Sequence, residues 1–212
     1  MRGVIYLIKA ILLAAGEGRR LGYEKMSRPI LGKPIIFWTL DLISASGFDP
    51  KDIVVVIGYD GDKLKKELSK YDVRLNIVEN PDYRKEMFSS IKTGILSLSE
   101  DIENVLIALG DQPLVKPATI KAILSERHPL KVVQPVFNGK RSHPILIPKP
   151  IIKTIRSASL DRTLKDLMPP PEERILVPVD DEGVCIDIDT FEDLKLAESI
   201  LKIRHQEADV GP

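Results

Sequence analysis

Lys9-Ala10-Ile11-Leu12-Leu13-Ala14-Ala15-Gly16-Glu17-Gly18-Arg19-Arg20-Leu21-Gly22-Tyr23-Glu24-Lys25 runs from an apolar segment directly into a loop of small residues and cations. Residues 9–14 form a short, nearly continuous apolar run, as expected for a strand covered on both faces. In open parallel sheets, ligands sit beyond the carboxyl ends of the strands. The loop that follows is therefore the favoured place for an anion. Gly16 and Gly18 let backbone N–H groups approach phosphate oxygens, and successive N–H groups make an anion-binding nest. Arg20 adds a planar fork of donors and Lys25 a point charge, which together suit a triphosphate.

Two common phosphate-binding patterns do not describe the loop. A P-loop requires Gly-x-x-x-x-Gly-Lys-Ser/Thr, and a dinucleotide fingerprint requires Gly-x-Gly-x-x-Gly opening an apolar helix. Here Gly16 and Gly18 are followed by Arg19-Arg20, and the third glycine, Gly22, comes one residue late.

Outward from the loop, apolar runs at 53–57, 73–78 and 105–109 read as further buried strands. Between them lie helical patterns. Pro34 fits a first helical position, Ile35, Trp38, Leu42 and Ala45 follow at helical spacing, and Gly47 marks the stop. Residues 61–70 read as a short charged helix, and Met87, Ile91, Ile95 and Leu98 as the apolar stripe of another. This order predicts a three-layer α/β/α fold with a mainly parallel, Rossmann-like sheet. After Pro117 the pattern is less regular. Segments 132–137 and 144–147 flank Asn138-Gly139, which predicts an antiparallel hairpin addition. Segments 151–156 and 160–168 read as helices, Pro169-Pro170-Pro171 as a rigid connector, and 184–188 as a last strand. Thr190 with Asp193 opens a final helix, with Phe191, Leu194, Ala197 and Leu201 on its buried face and fraying from Gln206. A single domain over 1–212 is expected, with a core at about 9–204 and the hairpin region at about 131–168.

Composition narrows the partners. Thirty-one basic and 31 acidic residues give no net charge, which disfavours a general nucleic-acid or membrane-surface binder. Any anion site must be local. The apolar run 4–15 is interrupted by Lys9 and is too short to span a bilayer. The single cysteine, Cys185, permits no intrachain disulfide and reads as a small buried residue, so a cytoplasmic location is expected. His128 and His205 have no motif around them and read as surface residues.

Two acidic motifs carry the remaining chemistry. Gly110-Asp111-Gln112-Pro113 directly follows the strand 105–109, where an Asp in a Gly/Pro-fixed turn can reach a bound Mg²⁺. In Asp187-Ile188-Asp189-Thr190-Phe191-Glu192-Asp193-Leu194, strand alternation puts Asp187 and Asp189 on one face before a helix start. Asp193 reads as a helix cap.

Taken in order, the loop and these motifs resemble the molybdenum-cofactor cytidylyltransferases and their MobA-like relatives. The loop is similar at Leu13-Ala14-Ala15-Gly16, Arg20-Leu21-Gly22 and Lys25, and Gly-Asp-x-Pro recurs at Asp111. The family's Asp-x-Asp-Thr-Pro-Glu-Asp-Leu is matched except that Phe191 replaces Pro. The resemblance implies the nucleotide-diphospho-sugar transferase type of fold. It implies nucleotide contacts from Leu13, Ala14, Ala15, Gly16 and Gly18, phosphate contacts from Arg20 and Lys25, and metal ligation by Asp111 and Asp189, with Asp187 a further candidate. Arg20, Lys25 and Asp111 are the candidate catalytic residues. The stretch from Asn80-Pro81 to Ser90-Ile91-Lys92-Thr93-Gly94-Ile95 resembles the family segment near base and ribose, which implicates Ser90 and Gly94, with Ser89 an alternative; Glu86 stands where Gly is frequent. Ser142-His143-Pro144 resembles an acceptor-facing Gly-His-Pro, and Leu160-Asp161-Arg162 a shortened acceptor segment, which implicates His143, Pro144 and Arg162. Ala15 is the family's mark of CTP. The implied reaction transfers CMP to a small phosphorylated acceptor, by resemblance molybdopterin-bound molybdenum, with Mg²⁺ as cofactor. A sugar- or polyol-phosphate nucleotidyltransferase, or a nucleotide-binding accessory protein without turnover, remain as alternatives.

Overall fold

A computed structural model describes residues 7–21, 25–72 and 74–209. Gly22 of the loop and Val73 of an expected strand lie outside the described residues, as does the His205 side chain. The first strand, β1 (Ile8–Ala14), lies at the centre of the sheet. Two tiny strands, β2 (Pro29–Ile30) and β3 (Lys33–Pro34), form a separate hairpin before α1 (Ile35–Ala45). Then follow β4 (Ile53–Ile57), α2 (Gly61–Leu68), β5 (Asn76–Glu79), α3 (Glu86–Leu96) and β6 (Asn104–Leu109). The rest of the chain supplies α4 (Pro117–Ser125), β7 (Val133–Phe137), β8 (Lys140–Arg141), β9 (Ile145–Pro148) and α5 (Lys149–Ser157). It ends with α6 (Leu164–Leu167), β10 (Ile175–Pro178) and α7 (Phe191–Asp209).

The main sheet has the order β10-β7-β9-β6-β1-β4-β5, with β8 paired to β7. β1 pairs in parallel with both β4 and β6, while β9 enters antiparallel between β6 and β7. Alternation along the strands explains the two cores. Ala10, Leu12 and Ala14 of β1 face Ile36, Leu40, Leu64 and Ile120 of α1, α2 and α4. Ile11 and Leu13 face Phe88, Ile91, Ile95 and Ile152 of α3 and α5. Burying each such Leu, Ile or Phe contributes roughly 1.5–3 kcal/mol, so both faces of β1 lock its register. A smaller cluster of Leu21, Ile30, Ile35, Leu114, Ile188, Ala197 and Leu201 anchors α7 beneath the loop.

Several expectations are corrected. Segment 184–188 is not a strand: Glu182–Cys185 is a turn of 3-10 helix and the chain then runs irregularly into α7. Its apolar alternation is real, since Val184 and Ile188 are buried, but its donors go elsewhere; Ile188 N–H donates to the Asp111 carbonyl at 2.9 Å. Segment 160–168 is helical only over α6, because Thr163 and Asp166 form a reciprocal capping box that starts the helix late. The turn Asn138-Gly139, both with positive φ, joins β7 to the short β8, and β9 pairs mainly with β6. The strands on either side of α4, β6 and β7, match the expected runs 105–109 and 132–137, whereas α4 itself, β10 and the β2–β3 hairpin gave no expectation. Cys185 is exposed, Phe191 is 50% exposed, and α7 continues past Gln206. Among the described residues, no helix is long and apolar enough to cross a membrane.

Candidate active site

β1 leads to β4 on one side and the chain later returns to β6 on the other, so the carboxyl ends of β1 and β6 flank a topological switch point. The loop is gripped from both neighbours there. Gly110 N–H donates to Leu13 O at 2.9 Å, and Tyr59 N–H donates to Ala15 O at 3.3 Å. The grip depends on glycine. A Cβ on Gly58 would stand 2.8 Å from Ala15 O, and one on Gly110 would stand 3.0 Å from Leu13 O. Leu13, Ala14 and Ala15 are buried beneath this crossing, whereas Gly16 is exposed and Gly18 turns the chain with φ 59°.

Lys25 follows the loop and is 7% exposed. Its Nζ lies 2.6 Å from Asp111 Oδ2 and 2.8 Å from Asp189 Oδ1. Burial opposes the ammonium charge, but the two carboxylates outweigh it and hold the Lys25 pKa above its ordinary value. Arg20, itself exposed, reaches Asp189 Oδ2 at 2.6 Å. Residues separated by up to 169 positions thus meet in one cluster.

Local bonding fixes the two carboxylates. Thr39 Oγ1 donates to Gly110 O at 3.0 Å, and the Asp111 carbonyl accepts from Ile188. Asp193 accepts from Asp189 N–H and Thr190 N–H, which caps α7 and places Asp189 at its start. Gln112 Nε2, buried, donates to Asp187 Oδ1 at 2.8 Å and to Val184 O at 3.1 Å. Partial desolvation raises the Asp187 pKa, and Asp111 and Asp189 push it the same way. Gln112, Thr39 and Gly58 carry no role in the sequence reading; a strand-end rule applied to β4 would have found Gly58.

The donor set fits a divalent cation. Asp111 and Asp189, from different segments, converge on one cationic point, and Mg²⁺ commonly uses only one or two protein carboxylates beside phosphates and water. Among the described residues no group of three or more His, Cys, Asp or Glu forms a self-sufficient metal cage, so phosphate oxygens would have to complete the shell.

Ser90 and Gly94 have different surroundings. Asn80 Nδ2 donates to Ser89 Oγ at 2.8 Å and Ser90 Oγ at 3.0 Å, all three residues being buried. Ser89 Oγ is turned back onto Asp82 O and Glu86 O. Gly94 faces the sheet, where an added Cβ would meet Ile11 Cγ2 at 2.8 Å; its geometry gives a helix-packing role. In the hairpin region, His143 Nε2 is among the described side-chain atoms buried without a hydrogen-bond partner. Desolvation lowers its pKa to about 4, against an opposing pull from Asp111, so the imidazole is neutral near neutral pH. Pro144 is buried behind the Asp111 turn, beside Thr39 and Gln112. Ser142, standing where Gly was expected, donates its hydroxyl to Val184 O and ties the hairpin to the same turn as Gln112. Arg162 is exposed, beside Asp161 and Asp166, and is not brought to the Lys25 cluster by any contact of its own.

The family model for the MobA-like NTP transferase domain matches residues 10–175. The chain belongs to that family. It is thus a nucleotidyltransferase, and its mixed sheet with flanking helices is that of the nucleotidyltransferase fold. The transferase is 27% identical over 192 residues to the molybdenum cofactor cytidylyltransferase of Escherichia coli (strain K12), covering 90% of this chain and 95% of that protein. It is 33% identical over 119 residues to the bifunctional protein GlmU of Caldicellulosiruptor saccharolyticus, covering 55% of this chain but only 25% of the relative's length. The crystal structure of Rv0371c from Mycobacterium tuberculosis H37Rv superposes with a TM-score of 0.77 at 20% identity, over 92% of this chain and 100% of that one. A complex of that protein with manganese gives 0.71 at 19% identity, over 91% and 98%.

Proposed function

We propose that the transferase moves CMP from CTP to a small phosphorylated acceptor, with release of pyrophosphate, and that the acceptor is molybdopterin-bound molybdenum. The observation that carries the reaction class is the meeting of Lys25, Arg20, Asp111 and Asp189 at the open end of β1 and β6. The choice of CTP rests on Ala15, and the choice of acceptor on similarity to the E. coli cytidylyltransferase along nearly its whole length.

An acceptor phosphate oxygen attacks the α-phosphorus in line, and the bond to the bridging oxygen of pyrophosphate breaks. The nucleophile is already anionic, so no protein base is needed. This agrees with His143, whose buried neutral ring suits lining and orientation more than proton transfer at pH 7. A bound Mg²⁺ would supply Lewis-acid neutralisation of phosphate charge. Asp111 and Asp189 would hold it. Lys25, buried, and Arg20, exposed, would leave these carboxylates and bind the departing phosphates. The nest at Gly16 and Gly18 would orient the triphosphate. Ser90 is the proposed base contact, held by Asn80.

The 33% identity to the GlmU segment favours a second reading, a sugar-phosphate acceptor at the same donor site. The test is pyrophosphate release with Mg²⁺, each NTP and both acceptor classes. Fastest turnover with CTP and the molybdenum–molybdopterin acceptor is expected. Turnover only with a sugar phosphate would replace that acceptor, and triphosphate binding without release for any acceptor would reduce the protein to a binding module.

A further inference from the structure

The two carboxylates suited to a divalent cation already have a cation between them. Lys25 Nζ sits 2.6 Å from Asp111 and 2.8 Å from Asp189, and Arg20 takes the other oxygen of Asp189 at 2.6 Å. Both Asp189 oxygens are therefore engaged, and the facing oxygen of Asp111 as well. Mg²⁺ requires its oxygens at roughly 2.0–2.1 Å. An ammonium donating to those same oxygens leaves no room for it, and its charge repels a dication. Lys25 is buried, so water screens this repulsion poorly.

We propose that Lys25 is an internal counter-cation that blocks Asp111 and Asp189 against a free divalent metal until a donor triphosphate draws the ammonium away. The proposal rests on the donor-site reading above. In the free protein Lys25 and Arg20 offset Asp111 and Asp189, while Asp187 beside them is held by Gln112. A metal alone would leave Lys25 and Arg20 displaced and without partners. A metal arriving with a triphosphate lets every charge find a new partner, the carboxylates on the metal and the two cations on the phosphates. Metal and nucleotide should then bind with strong mutual enhancement, because linkage is reciprocal. The position of Lys25 is pinned by its neighbours: Arg28 N–H donates to Lys25 O, and Gly16, Met26 and Ser27 line the same narrow cleft. Lys25 thus shares this cleft with Gly16 of the loop.

The test follows free Mn²⁺ by electron paramagnetic resonance, without turnover. In the wild-type protein, saturating CTP should tighten Mn²⁺ binding by at least about tenfold. Lys25→Met should tighten Mn²⁺ binding without nucleotide by a similar factor. Lys63→Met, which removes a cation that lines the same cleft and pairs with Asp60, should shift it less than about twofold. If Lys25→Met proves unstable, the wild-type comparison with and without CTP stands alone, and equal affinities there would overturn the proposal. Equal Mn²⁺ binding by wild type and Lys25→Met, both lost in Asp111→Asn, would also overturn it while leaving the metal site intact. No Mn²⁺ binding by any of these proteins, even with CTP, would overturn both the proposal and the metal assignment.

Discussion

At Asp111 a carboxylate ends a buried strand and is held by bonds to the backbone on either side, from Thr39 and Ile188. Asp111→Asn keeps the shape and removes the charge, so pyrophosphate release should fall by at least about 100-fold with the fold unchanged by circular dichroism. Asn80 offers a different kind of test. It fixes both Ser89 and Ser90, so Asn80→Ala should raise KM for CTP several-fold more than it lowers kcat and should cost about 1–3 kcal/mol of stability in urea titrations. His143 gives a pH signature. Its folded pKa, about 4, lies below the ordinary 6.5, so the unfolded chain binds the proton more readily. Its contribution to stability is full above about 6.5 and is lost as pH falls towards 4. Melting temperatures measured across that window should fall less steeply in His143→Phe than in the wild type. That Lys25, Asp111 and Asp189 come together was implied by the family resemblance of their three motifs, and the side chains do meet. Thr39, which fixes the Asp111 turn, and Gln112, which ties Asp187 and Val184 to it, were not legible, because a buried donor to a backbone carbonyl leaves no periodic trace in a sequence.

Among elements, the parallel centre was the most readable part. β1, β4 and β6 are covered on both faces, so nearly every residue is apolar and the run announces itself. β10 and the β2–β3 hairpin are short and carry prolines, which obscures strand patterning. Segment 184–188 misled for a physical reason that lies just before it. Its alternation matches a strand, yet Gly183 is pressed so close to Leu114 that an added Cβ would lie 2.1 Å from its carbonyl oxygen, and the chain bends there. Gly183→Ala should therefore cost about 3 kcal/mol or more and should loosen Asp187 and Asp189 together. Gly94→Ala, at a helix–sheet contact, should cost a milder 1–3 kcal/mol or so and leave KM for CTP nearly unchanged. A large KM effect there would support Gly94 as a contact to the base, the role that the resemblance implies.

For the molecule as a whole, the three-layer order was predictable because the apolar periods of the first half leave few other ways to pack. The second half was less so, since β9 returns antiparallel between β6 and β7 and α7 docks on a cluster drawn from distant segments. Ligand linkage tests the assembled site. CTP with Mg²⁺ at about 100 times Kd should add about 2.7 kcal/mol of stability, and thermal melts with EDTA should lose most of that gain.

Because α7 carries Asp189 into a cluster founded on Arg20 and Lys25, the order of synthesis on the ribosome has a chemical consequence. A nascent chain that has emerged only as far as β10 already carries Arg20, Lys25 and Asp111 but lacks Asp189, the carboxylate that holds Arg20 and shares Lys25. During that interval the cluster carries one more positive charge than it does in the finished fold.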